Sequence, residues 1–533
     1  MSKGYLCIVL HAHLPFIRHP EQPFFLEENW LFEAMTESYI PLMKVFERLI
    51  NDDIDFHITL SLSPTLVTML YDKLLKDRYK RYLEHVIEIS ERELKRTAKD
   101  IHINPVAAMY LQRFRAIQKI FEDEYNMNLI NVFANLQRTK KVELITTSAT
   151  HAFLPVLDTY PFMVEAQVRV GIDTHRKYFG TNPRGFWLPE CGYKSSFDQY
   201  LKKHNISFFF LDSHAVTCGD PVPAYGVYAP VLCPSGMFAF GRDTETSQQV
   251  WSSASGYPGD FEYRDFYRDI GFDITTDYIR KFLSLYGGRT YTGLKYYRIT
   301  GKSDVKKPYR ELLASKKVHE HARHFVQSRI SHVKALTANA EMNPLITSLY
   351  DAELFGHWWF EGPDWLEAVL RGIDQEKRYM TTMTASQCLK LVKQGVLAKQ
   401  CSQPLMSSWG ARGFHESWIN PSNDYMYRHI HKAIEMMSTL AESFPRATGN
   451  VQRALNQAAR EILLSQHSDW AFMMKSDTYT SFGRKSFVSH INNFHTLYEM
   501  IMRGNVCENN ICTMEERGRI FPEIDYRIFK TNK

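Results

Sequence analysis

The sequence predicts an α/β protein: a barrel or doubly wound sheet of parallel strands, followed by a helical region. Three observations carry that prediction. Short apolar runs rich in β-formers recur, and each ends in polar residues. Helical patterns lie between several of them, and strand signals fade from about Asn420 onward, where long amphipathic periods take over.

Taken in order, Tyr5 to Leu10 reads as the first strand. Its apolar run is only about six residues long, meets two histidines at once and is followed by no small-residue cleavage site, so no signal peptide is expected. Trp30 to Ile50 has a helical period, and Phe56 to Leu62 is the second strand. The third, Val142 to Thr147, lies too far on for a single crossover. Residues 77–135, rich in Lys, Arg, Glu, Leu and Tyr at helical period, are expected to form an inserted helical subdomain. Met163 to Phe179 is helical, and Gly185 to Leu188, Ile206 to Leu211 and Leu345 to Tyr350 read as further buried parallel strands. Residues 221–307, dense in Gly, Pro, Tyr and Asp, are expected to form loops over the barrel mouth within a catalytic region 1–400. Tyr427 to Ser443, Val451 to Ser465 and Ser486 to Arg503 are predicted helices of an all-helical C-terminal domain, 401–533.

Composition narrows the function. Over 533 residues, 44% apolar and 23% charged residues are ordinary for a globular chain and exclude disordered, collagen-like and coiled-coil classes. Lys plus Arg exceed Asp plus Glu by 64 − 59 = 5, without a basic block, so no nucleic-acid partner is implied. No run approaches the roughly 18 apolar residues of a membrane span. Eight cysteines without a CxxC pair fit a reducing, cytoplasmic location. The aromatic share of 14% is high for a chain of slightly polar mean hydropathy and suggests sugar-stacking faces beside ordinary core packing. Neither a GxxxxGK[ST] loop, a strand-linked GxGxxG nor a GxSxG elbow occurs, which removes phosphate cradles and serine hydrolases.

In an α/β barrel the chemistry lies at the C-terminal strand ends. His11 and His13 close the first strand in HAHLPF and share one face. Such a pair chelates a divalent metal or donates to substrate hydroxyls, and both readings stay open. Glu143 and His151 flank the third strand, Glu143 reading equally well as a structural carboxylate. Glu190 follows an aromatic run and a proline in GFWLPECGY. Asp351 and Glu353 end the strand in SLYDAELFGHWWFEGPDW, with His357 and four aromatic residues close behind. Two carboxylates on separate strands, ringed by histidines and aromatics, are what acetal cleavage in a sugar polymer requires: one attacks the anomeric carbon and the other protonates the leaving oxygen. An apolar wall keeps such an acid protonated near neutral pH.

HAHLPF, VELITTSATHAFLP, GFWLPECGY and YDAELFGHWW, in that order, resemble the motifs of glycoside hydrolase family 57. ENWLFEAMTESYIPLM, GYPGDFEYRDFYRDIGFD and SSWGARGFHESWINPSND resemble its branching-enzyme group, which carries a C-terminal helical domain. The resemblance implies an incomplete (β/α)7 barrel and a retaining mechanism on α-1,4-glucan, with Glu190 as nucleophile, Asp351 as general acid/base, and neither metal nor cofactor. It implies that His11, His13, Glu143, His151 and His357 line the sugar subsite; Glu353, on the same face as Asp351 by strand alternation, is read as a further substrate-site carboxylate that orients the acid. Trp30, Trp409 and Trp418 would stack on glucan rings, and Asp469 would reach the mouth from the helical domain. Transfer to a 6-hydroxyl, forming α-1,6 branches, is the expected outcome; an amylase-type hydrolase or a 4-α-glucanotransferase would use the same site. A metal-dependent hydrolase built on His11 and His13 is the alternative from another class. Branching members carry a tyrosine at the tip of a mobile loop over the site. Its expected counterpart here, Pro230 to Val250, has only Phe238 and Phe240, flanked by Tyr225, Tyr228 and Tyr257.

Overall fold

The computed structural model describes residues 4–283, 288–340 and 342–531. The start of the chain, part of the expected cover (284–287), residue 341 and the last two residues lie outside them. Among the described residues ten strands follow in order: β1 (Gly4–Ala12), β2 (Ile58–Leu62), β3 (Val142–Thr147), β4 (Gly185–Trp187), β5 (Phe208–Leu211), β6 (Val231–Leu232), β7 (Phe238–Gly241), β8 (Leu345–Asp351), β9 (Met380–Thr382) and β10 (Gln400–Cys401).

Seven of them, in the spatial order β7-β5-β4-β3-β2-β1-β8, pair in parallel through every neighbour. No ladder joins β7 to β8. The gap is spanned by the Asp243 N–H, which donates to Thr347 O at 2.8 Å, and by Tyr350, whose hydroxyl donates to Thr246 O at 3.1 Å. This is the incomplete (β/α)7 barrel that the resemblance implies.

Strand parity divides the core. All nine residues of β1 are buried, as expected where both faces of a parallel sheet are covered. Tyr5, Cys7 and Val9 point into the barrel with Ile145, Trp187, Phe208 and Phe240. Leu6, Ile8 and Leu10 pack outward on the helices.

The helix predicted over Trp30 to Ile50 spans Asn29–Ala34 and Ile40–Asn51, with a π-helical turn, Met35–Tyr39, between them. That extra residue per turn is a common device at functional sites, and here it carries Glu37 and Tyr39. Helices Lys73–Arg96, Asn104–Lys119 and Leu129–Arg138 lie between β2 and β3. Toward the C-terminus run Tyr425–Ser443, Gly449–Ser465, Ser468–Ser476, Thr480–Met502 and Glu508–Arg517. No helix among the described residues is long and apolar enough to cross a membrane.

The segment read as a covering loop is the main departure. Pro230 to Val250 holds β6, β7 and most of a helix, Thr244–Trp251. Phe240 is buried inside the barrel against Phe208 and Phe210, and Phe238 pairs in register with Phe208. Neither ring forms a lid. Tyr257 is buried too, its hydroxyl 2.8 Å from His324 Nδ1. The β5 edge supplied the ladder that turned this stretch into sheet.

Candidate active site

Register assembles the first part of the site. In the parallel ladders His11 lies directly between Ser61 of β2 and Asp351 of β8. Side by side in a parallel sheet, all three side chains point to the same inner face. His11 stacks on Trp187 at 4.4 Å between ring centroids and an interplanar angle of 6°.

Glu190 arrives from β4 on a single turn, Pro189–Cys191, in which both Glu190 (φ 60°) and Cys191 (φ 50°) adopt the left-handed conformation. His151 does the same at φ 52°. Non-glycine residues rarely accept this backbone, and such strain concentrates where a side chain must be aimed. Two donors meet the Glu190 carboxylate: the Trp409 indole N–H at 2.9 Å from Oε2 and the Ser468 hydroxyl at 3.0 Å from Oε1. Burial pushes Glu190 up to about 8, against the pull of these donors, and the nearby charges of Asp469 and Asp351 add to the rise. Burial also raises Asp351, to about 6, offset by Arg242, His13 and a hydrogen bond from Trp251.

The helix Ser468–Ser476 inserts its first turn into the mouth. Asp469 lies 3.0 Å from His13 Nε2 and 2.6 Å from His467 Nδ1. Burial opposes its charge, but these two imidazoles hold it well below the usual carboxylate range, and the helix N-terminus favours the anion as well. His13 stacks on His151 at 3.8 Å, and its backbone N–H donates to Glu353 Oε1 at 3.1 Å. Glu353, raised by burial to about 8, also accepts from the Tyr39 hydroxyl of the π-turn. Glu353 thus positions the histidine loop.

Both ring nitrogens of His11 have protein partners, Nδ1 at 3.0 Å from Ser61 Oγ and Nε2 at 2.9 Å from His151 Nε2, which favours the hydrogen-bonding reading of the HxH pair over chelation. Among the described residues His13, His467 and Asp469 converge, their ligand atoms within 4.8 Å of one another. A nitrogen of each imidazole lies close to the same Asp469 oxygen.

Two expected sugar contacts, Glu143 and Trp418, are placed elsewhere. Glu143 points inward, but two residues below the level of Ser61. It accepts from the Ser386 backbone N–H at 3.0 Å and from the Ser386 hydroxyl, at the start of helix Ala385–Lys393. It is a structural carboxylate that caps that helix. His357 directs its Nδ1 to Glu37 Oε2 at 2.7 Å, beside Arg264. Trp418 is 2% exposed and stacks on Phe153 at 4.6 Å, so its ring belongs to the core. Trp30 is half-buried, edge-on to Tyr479 and Phe482.

Trp418→Ala is therefore expected to cost about 3–5 kcal/mol of stability, whereas Trp409→Ala, which strips a donor from Glu190, should lower turnover with a much smaller change in Tm. Thermal melts beside kinetics check this. Equal losses of Tm in the two variants would contradict it.

Ser61, Ser468, Tyr39, Arg242 and Trp251 were missed in the sequence. Arg242 follows β7 directly and donates to Asp212 Oδ2 at 3.1 Å, but the strand before it reads as a loop in the sequence, so the strand-end rule does not reach it. Ser468 adjoins Asp469, but a serine by itself carries no signal.

A curled sheet of seven parallel strands, with two half-buried and mutually interacting carboxylates at its strand ends, is the arrangement of a barrel enzyme equipped for acid, base and nucleophilic work on acetals. Glycosyl hydrolase family 57 matches residues 7–404, and the domain described as 1,4-alpha-glucan branching enzyme, C-terminal, matches 429–529. The chain belongs to glycosyl hydrolase family 57. It is 32% identical to a 1,4-alpha-glucan branching enzyme of Thermococcus kodakarensis, over 94% of this chain and 74% of that protein. Among solved structures it resembles the alpha-amylase AmyC of Thermotoga maritima, with a TM-score of 0.92, 42% identity and 100% of both chains covered. It also resembles the GH57-type branching enzyme of Pyrococcus horikoshii, with a TM-score of 0.89, 32% identity and 99% and 97% covered.

Proposed function

We propose that this protein is a 1,4-alpha-glucan branching enzyme. Glu190 attacks the anomeric carbon while Asp351 protonates the glycosidic oxygen. The chain then rests on Glu190 as a glycosyl ester until Asp351, now a base, removes the proton from the 6-hydroxyl of an acceptor glucan. One observation carries this reading. The region that matches the branching-enzyme C-terminal domain is the region that delivers Ser468 and Asp469 to the barrel mouth. Domain and catalytic centre are one unit. The free state of all eight cysteines supports a reducing, cytoplasmic location.

A second reading, hydrolysis of the same intermediate by water, is favoured by the likeness to AmyC. Transfer outcompetes water, present at about 55 M, only where the site orients a sugar hydroxyl and excludes solvent. Trp251 ends the helix after β7, is 53% exposed and stands near enough to Asp351 to favour its charged form, which makes it the candidate cover in place of Phe238 and Phe240.

Incubation with amylose, followed by debranching, separates the two outcomes. New α-1,6 linkages in excess of new reducing ends support branching, and reducing ends alone support the hydrolase. Trp251→Ala is expected to shift the ratio toward reducing ends by about threefold or more. An unchanged ratio would remove Trp251 from control of the partition.

A further inference from the structure

Four hydrogen bonds join Ser61 to Glu190 through two histidines. Ser61 Oγ lies 3.0 Å from His11 Nδ1, and His11 Nε2 lies 2.9 Å from His151 Nε2. His151 Nδ1 lies 2.9 Å from Ser468 Oγ, whose hydroxyl reaches Glu190 Oε1 at 3.0 Å. Ser61, His11, His151 and Ser468 are all buried, so water does not stand in for a missing partner.

Proton counting sets the direction. A serine hydroxyl carries one proton, and a neutral imidazole carries one N–H and one bare nitrogen. Burial holds both histidines well below their ordinary pKa, so both are neutral. The contact between the two Nε2 atoms then needs one N–H. Were His151 to supply it, His151 Nδ1 would be bare and would take the single Ser468 proton, leaving none for Glu190 Oε1. With His11 supplying it, His151 Nδ1–H donates to Ser468 and frees that hydroxyl proton for the carboxylate. His11 Nδ1 takes the proton of Ser61. Only this arrangement fills every link while Glu190 is ionised.

We propose that Ser61 and Ser468 are positioning residues that lock His11 as the Nε2–H tautomer and His151 as the Nδ1–H tautomer, so that four hydrogen bonds run one way and end as a donor on Glu190. This rests on the reading of Glu190 as nucleophile. Oε1 is an acceptor both in the carboxylate and in the glycosyl ester, so the chain keeps one direction through both halves of the reaction and reorganises nothing. Three further contacts hold it in place. His11 is stacked flat on Trp187 and His151 on His13, and the Ser468 backbone N–H donates to His151 O at 3.2 Å.

The test reads the ring nitrogens of ¹⁵N-histidine-labelled full-length protein without substrate above about pH 9, where Glu190 is ionised, so its result stands apart from which group attacks the sugar. Expected are an Nε2–H signature for His11 and an Nδ1–H signature for His151. The opposite tautomer at either residue, or an imidazolium, at that pH overturns the proposal. In turnover, Ser468→Ala should lower kcat about tenfold or more with KM within about twofold, since a hydrogen bond to a charged group is lost. Ser468→Thr, which keeps the hydroxyl, should restore most of it. Ser61→Ala is expected to lower kcat about threefold and to mix the His11 tautomers. Unchanged kcat together with an unchanged His11 tautomer in Ser61→Ala overturns the claim that the chain acts as a unit.

Discussion

Glu190→Gln is expected to lower turnover of α-1,4-glucan by about 10⁴-fold or more while leaving the fold intact. The amide is nearly isosteric with the carboxylate but does not form the glycosyl ester. Its amide oxygen can still accept one of the two donors that meet Glu190, so the left-handed turn at Pro189–Cys191 keeps an anchor. Circular dichroism and melting of the variant check the fold, and release of new chain ends from amylose checks the chemistry. Turnover within tenfold of the parent in a folded variant would end the assignment of Glu190 as nucleophile.

Asp351→Asn should cost about 10²–10⁴-fold on polysaccharide, because a sugar alkoxide leaves only when protonated. The first step should largely survive on a substrate with an activated aryl leaving group, which departs without an acid. A first step equally crippled on both substrates would remove Asp351 from the acid role. The same two carboxyls set the pH response. The working form has Glu190 ionised and Asp351 protonated, with Glu190 at about 8 and Asp351 at about 6. Below about pH 6 Asp351 is protonated and the ionised fraction of Glu190 falls tenfold per unit. Above about pH 8 Glu190 is ionised and the protonated fraction of Asp351 falls tenfold per unit. Between them the two trends cancel. The kcat/KM profile should therefore be a plateau bounded near 6 and 8, with limbs that belong to the pair. A profile still rising above pH 9 would contradict these environments.

Much of the site was legible because a parallel α/β sheet sends every strand's C-terminal end to one mouth. Recognising strand ends was enough to single out His11, His13, Glu190 and Asp351. Height within the barrel was not legible. Glu143 has the right parity on β3, yet the stagger of the strands places it two residues below Ser61, under the start of another helix. Trp409 and Trp418 share one aromatic-rich segment, and only the fold aims the first at Glu190 and stacks the second on Phe153. Phe238 and Phe240 alternate as a strand should, but Gly and Pro around them suggested a loop until β5 supplied their partner.

The sequence by itself determined the strand-and-helix period, the helical C-terminal region and the set of side chains able to do acid, base and nucleophilic work. Those properties are local: they follow from side-chain chemistry and from the repeat of apolar residues along a few turns or one strand. Tertiary structure alone decided which of those side chains meet and what charge each carries. Ser468 reaches Glu190 across 278 positions, and His11 finds Ser61 and Asp351 only through the pairing of three strands. A pKa or a tautomer is set by burial and by the partner at hydrogen-bonding distance, and those partners are brought together by long-range packing that no local period encodes.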